Sequence, residues 1–112
     1  MEKKLSMIRI MLLDEQIRNN HYIESYERKL ADLPKGKMVY VKKKSSIYVY
    51  LSYRDEHQKN KSKYVGKIDS PKYLEMKDKL EERDYYKRML EQALFEKKEI
   101  DICLKAGDKL YK

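Results

Sequence analysis

KMVYVKKKSSIYVYLSYRDEHQKNKSKYVGKI, residues 37–68, is the stretch that decides the fold. Its Val, Ile and Tyr residues recur at every second position, the period of an extended chain. Residues 37–44, 47–54 and 62–68 read as strands. Ser45-Ser46 and the polar run 55–61 read as the turns between them. Three short strands with brief turns make an antiparallel meander in sequence order. Alternation then sorts two faces. Val39, Val41, Ile47, Val49, Leu51 and Tyr53 are expected on the buried one. Met38, Tyr40, Lys42, Lys44, Tyr48, Tyr50, Ser52 and Arg54 are expected on the open one. The third strand is ambiguous. Placing Lys63 and Lys67 on the open face puts Tyr64 and Ile68 inside and exposes Val65.

Outward from the meander, both flanks change period. Upstream, Leu33-Pro34-Lys35-Gly36 is a break: proline disfavours helical geometry at Leu33, and glycine supports a turn. Residues 2–32 before it hold no Gly or Pro, and Leu5, Ile8, Leu12, Ile23, Tyr26 and Leu30 fit three- and four-residue steps. Downstream, Asp69-Ser70-Pro71 is a helix start, with Ser70 as cap and Pro71 in the first position. The run to 106 again lacks Gly and Pro, and Gly107 is a stop signal. A seven-residue recurrence passes through Tyr73, Met76, Leu80, Lys87, Leu90, Leu94 and Leu104, broken by Arg83, Lys97 and Asp101. A helix of that length spans about 50 Å, more than a three-stranded sheet can cover. The expected architecture is therefore α+β. Two long helices, about 2–32 and 71–106, form a helical hairpin, with a three-stranded antiparallel β-meander, about 37–68, between them in one domain.

Charge is segregated along this plan. Residues 35–67 hold ten Lys or Arg against Asp55 and Glu56, which leaves +8, the net charge of the whole chain. Residues 1–34 have six bases and six acids, and residues 68–112 have eleven of each. Bases gathered on one small element make a local field that attracts anions. Tyr supplies 11 of the 12 aromatics, and Tyr40, Tyr48, Tyr50, Tyr53 and Tyr64 are interleaved with the bases. Tyrosine rings stack on nucleobases, and their hydroxyls reach phosphates. The candidate anion or nucleic-acid site is Tyr40, Lys42, Lys43, Lys44, Tyr48, Tyr50, Arg54, Lys63 and Lys67. Lysines on short strands also guard sheet edges, and cross-strand tyrosines also stabilise sheets. The charge segregation favours a partner over these bland roles.

Other chemistry is poorly supplied. His21 and His57 have no Cys, Asp or Glu at metal-ligand spacing, so no metal is expected. There is no glycine-rich phosphate loop or nucleophile motif, and no cofactor or enzymatic activity is expected. Cys103 stands alone, which fits a reducing compartment, and reads as a small buried hydrophobe. No run approaches the length of a membrane span. Arg9, Asp14, Glu15 and Gln16 spoil the signal-peptide look of the N-terminus, so a cytoplasmic protein is expected. Residues 5–13 are apolar all round a helix, which calls for cover on more than one side. Self-association through Leu5, Ile8, Met11 and Leu12 is the expected consequence.

The pieces Leu33-Pro34-x-Gly36, Tyr48-x-Tyr50-Leu51-x-Tyr53-Arg54 and Ser62-Lys63-Tyr64-Val65-Gly66-Lys67 resemble small basic proteins of bacteria and their mobile elements, a family of unknown function. The Tyr-Arg and Lys-Tyr-x-Gly pieces are also similar to the N-terminal meander of some transposases and the arm-type DNA-binding domain of some phage-type integrases. That likeness covers only about residues 38–68. It implies DNA binding without strand cleavage, in a phage or mobile-element setting. Charge, helices and resemblance together leave a leading expectation and its alternatives. The first is a nucleic-acid-binding accessory protein, with DNA ahead of RNA as partner. The alternatives are an inhibitor or adaptor that docks on a host protein, or a module that captures an anionic nucleotide.

Overall fold

The structure, a computed structural model, describes residues 6–110. Helix α1 spans Met7–Ala31, strands β1, β2 and β3 span Lys37–Lys43, Ser46–Arg54 and Asn60–Lys67, and helix α2 spans Pro71–Asp108. Two helices with an antiparallel three-stranded sheet between them in the sequence make the chain α+β. The start of the expected first helix, residues 2–5, lies outside the described residues. The chain forms two compact units, one from residues 32–85 and the other from the segments up to 31 and from 86 onward. Helix α2 contributes its first half to the former and its second half to the latter.

In the 32–85 unit the strand order is β1-β2-β3. Val49, Leu51 and Val65 of the sheet pack with Tyr73 and Leu80 of α2, and Met38, Tyr53 and Met76 close around them. Ser70 caps α2 by accepting a hydrogen bond from the Tyr73 amide at 3.3 Å, and Pro71 takes the first helical position. Glycine is required at two positions. Gly36 has φ +102°, and a Cβ there would lie 2.2 Å from the Ser52 carbonyl oxygen. A Cβ at Gly66 would lie 2.7 Å from the Ser70 hydroxyl, so this glycine leaves room for the α2 cap.

The register corrects the expected faces of the first strand. The β1–β2 turn is Lys44-Ser45, with Lys43 opposite Ser46. A two-residue turn pairs odd positions with even ones, so Val39 and Val41 cannot share a face with Val49 and Leu51. Instead Met38 lies opposite Leu51, Tyr40 opposite Val49 and Lys42 opposite Ile47, all on the α2 side. Val39 and Val41 lie opposite Tyr50 and Tyr48 on the outer face. The third strand is corrected too. Its register shifts beside Val49 and Tyr50, whose partners are Gly66 and Tyr64. Val65 is the extra residue of this bulge, and it turns into the core. Val65 is only 7% exposed, whereas Tyr64 is 52% exposed and Ile68 is also exposed.

Arg83, an apparent break in the helical repeat, belongs to the packed face of α2. Its guanidinium donates to the Gly36 and Pro34 carbonyls and to the Asp84 carboxylate. A charged residue in an apolar stripe is here the clamp on the 33–36 turn.

In the other unit, α1 and the second half of α2 run antiparallel as a helical hairpin. Arg9 reaches the Leu104 carbonyl and pairs with Asp108. Gln16 meets Asp101, Asn19 donates to the Ala93 carbonyl at 2.9 Å, and Lys29 meets Tyr86. Ile23, Ala93, Ile100 and Leu104 are buried. The stripe on α2 thus passes through Ala93 and Ile100, and Leu94, expected on it, is exposed. Alanine wins the position because its small side chain admits Asn19. Cys103 is exposed, not the buried hydrophobe expected. Helix α2 also passes Gly107 and ends at Asp108.

Candidate nucleic-acid interface

The outer face of the sheet is built by cross-strand pairing. Tyr48 lies opposite Val41 and Lys67, and Tyr50 lies opposite Val39 and Tyr64. The Tyr64 ring centroid lies 5.3 Å from that of Tyr50, edge-on, and 6.4 Å from that of Tyr48. The Lys67 ammonium sits 5.8 Å from the Tyr48 ring centroid. At the turn end of this face, Lys43, Lys44, Ser45 and Ser46 join the three tyrosines around a depression of about 570 Å³. Lys44 holds φ at +55° as the first residue of the tight turn. The turn places two successive lysines, Lys43 and Lys44, beside the rings.

The chemistry of this face is specific in kind. Three phenol rings give flat apolar area with hydroxyl tips and lose little rotamer freedom on contact. The lysines around them are compact charges on flexible stems that follow a phosphate chain as it shifts. Among the described residues, no acidic side chain lines the depression. Such a surface can stack bases on rings and set phosphates against ammonium groups.

The structure gathers part of the predicted set. Lys43, Lys44, Tyr48, Tyr50 and Lys67 meet on the outer face or its turn. Arg54 shares that face by register, opposite Asn60, at the other end of β2. Tyr40, Lys42 and Lys63, expected beside them, are on the α2 side by register. Tyr40 commits its hydroxyl to Tyr73 at 3.1 Å. That hydrogen bond, and then partial burial, raises the Tyr40 phenol above its ordinary value. Tyr64, expected inside, is the outer-face residue absent from the predicted set. The signal was there in Val65-Gly66, a β-branched residue before glycine in a strand, which marks a bulge that reverses the parity of what precedes it.

No protein-family model matches the chain. No curated protein and no solved structure matches it either. No helix among the described residues is long and apolar enough to cross a membrane, and no group of three or more His, Cys, Asp or Glu among them could hold a metal ion. His21 and His57 are exposed.

The segment expected to self-associate lies on the hairpin unit. Ile8 is 73% and Met11 64% exposed, with Met7 and Ile17 exposed nearby. Leu12 is half-buried, and Leu5 is outside the described residues.

Proposed function

We propose that this chain is a non-enzymatic nucleic-acid-binding accessory protein that uses the outer face of its sheet. The observation that carries the reading is the joining of Tyr48, Tyr50 and Tyr64 on one open face with Lys43, Lys44 and Lys67 around them. The concentration of the whole net charge in residues 35–67 supports it. Lysines provide affinity through phosphate contacts, and the rings provide stacking area that tolerates any base. The phage or mobile-element setting is part of the proposal and rests on the resemblance of the meander alone. A cytoplasmic location belongs to the same reading.

A salt titration of binding to duplex DNA, single-stranded DNA and RNA tests it. Lys37, Lys43, Lys44, Arg54 and Lys67 are the outer-face and turn cations. Five phosphate contacts predict a log–log slope of about −4.5 on duplex DNA and about −3.5 on single strands. Binding that ignores salt, or no binding at low salt, rejects the reading.

Self-association through the hairpin unit completes the proposal. Ile8 and Met11 are exposed on a two-helix hairpin that leaves them uncovered, and a second copy of the same apolar surface can cover them. Sedimentation equilibrium is expected to give a multiple of the 13.7 kDa chain mass. Ile8→Lys with Met11→Lys is expected to give the monomer. A wild-type protein that is monomeric at high concentration rejects this part alone.

A further inference from the structure

We infer that the groove between strand β3 and the first half of helix α2 takes an extended acidic peptide, which joins the sheet as a fourth strand. The inference does not rest on the nucleic-acid reading, and its groove shares only Tyr64 and Lys67 with the outer face.

Three observations carry it. The strand order β1-β2-β3 leaves the outer edge of β3 without a neighbouring strand among the described residues. A groove of about 810 Å³ runs along that edge, with residues 63–67 on the strand side and α2 residues on the other. Its lining combines apolar Val65 and Met76 with Lys63, Lys67, Lys72 and Lys79. Glu75 is the one acid in the lining, and it is already paired with Lys79 at 3.2 Å.

An open edge beside a helix gives an extended peptide two things at once. The strand's free N–H and C=O groups supply main-chain hydrogen bonds, and the groove receives alternate side chains. The volume suits several side chains. The charge then selects among peptides. Lysines along an edge prevent two copies of this strand from pairing, because like charges would meet. The same lysines favour a strand that carries carboxylates at the matching positions. Nucleic acid fits this groove less well. A phosphodiester chain offers acceptors but no donors to a strand edge, and the Val65–Met76 floor asks for apolar side chains.

The test uses the full chain and a fluorescein-labelled heptapeptide, Glu-Val-Glu-Ile-Glu-Val-Glu, read by anisotropy. Saturable binding is expected, with protection of amides in residues 60–67 from hydrogen exchange. The peptide with Lys in place of Glu is expected to bind at least tenfold more weakly. Lys72→Glu with Lys79→Glu, both exposed and outside the core, is expected to weaken the acidic peptide at least tenfold. Tyr48→Ala with Tyr50→Ala is expected to leave it within twofold. No saturable binding up to about 1 mM, a range of weak but measurable affinity, overturns the inference. So does displacement of the peptide by duplex DNA together with loss of DNA binding in the Lys72/Lys79 variant, which would assign the groove to nucleic acid.

Discussion

The hydroxyls of Tyr40 and Tyr73 lie 3.1 Å apart and tie β1 to α2 at the margin of an otherwise largely aliphatic core. This contact lies on the face of β1 that the register turns to the helix. A double-mutant cycle with Tyr40→Phe and Tyr73→Phe is expected to give a coupling of about 1 kcal/mol, the net worth of one neutral hydrogen bond. Urea unfolding measures it. A coupling near zero would mean that the hydroxyls pair no better with each other than with water.

The same contact predicts an alkaline dependence. The hydrogen bond to Tyr73 and partial burial both raise the Tyr40 phenol. The folded protein therefore favours the neutral phenol. The stabilisation is fully present below the ordinary tyrosine value of 10.0 and is lost as pH rises through the raised folded value. Wild type and Tyr40→Phe should keep a constant stability difference from pH 7 to 9. That difference should shrink as the pH climbs beyond 10.

Arg83 is expected to be the costliest polar side chain to remove from the 32–85 unit. Arg83→Ala leaves the Pro34 and Gly36 carbonyls without their charged donor. Hydrogen bonds from charged groups contribute about 1.5–3 kcal/mol, so a loss of about 2 kcal/mol is expected. Arg83→Lys should recover less than half of it, because an ammonium cannot hold the carbonyls and Asp84 in one planar fork. Gly36→Ala strikes the same turn from the other side. Its Cβ would face a backbone oxygen at 2.2 Å, and a loss of at least about 2 kcal/mol is expected.

Much of this plan is legible in the residues. The period change at Lys37, the Ser70-Pro71 start and the Pro34-Gly36 break place every element to within a few residues, apart from the start of α1. What the alternation misread was parity. Val39 and Val41 look like core residues by type, yet a two-residue turn pairs odd with even positions and sends them outward. Met38 and Tyr40 take the inner face because the same register sets them opposite Leu51 and Val49. The bulge at Val65 reverses parity a second time. Arg83 and Ala93 went unrecognised for another reason. Arg83 donates to backbone carbonyls and Ala93 offers its own carbonyl to Asn19, contacts that hydrophobic periodicity does not register.

Asn19 predicts opposite outcomes for two substitutions. It is buried, its amide donates to the Ala93 carbonyl, and its Oδ1 has no partner among the described residues. Asn19→Leu removes the unpaired oxygen at similar volume and should leave the hairpin unit as stable or raise it by about 1 kcal/mol. Asn19→Asp buries a carboxylate against a carbonyl and should cost about 3 kcal/mol at neutral pH. Part of that loss should return as the pH falls and the carboxyl takes up its proton. Thermal melts at pH 7 and pH 4 of the three proteins distinguish these outcomes.

The division of lysines between two faces separates a site from a charged surface. Lys43→Gln with Lys67→Gln and Lys42→Gln with Lys63→Gln lower the net charge by the same amount. If nucleic acid answers only to overall charge, the two variants lose affinity equally. If it lies on the outer face, the first variant removes two phosphate contacts and the second removes none. The log–log salt slope should then fall by about 1.8 in the first and stay unchanged in the second. Tyr64→Ala on the unchanged lysine set should weaken single-stranded DNA by about 1–3 kcal/mol, the worth of one stacked base. Tyr53→Ala offers no such control, because Tyr53 packs against the core, so Tyr85→Phe is the reference. Equal slopes for the two lysine pairs would leave the outer face with no special claim.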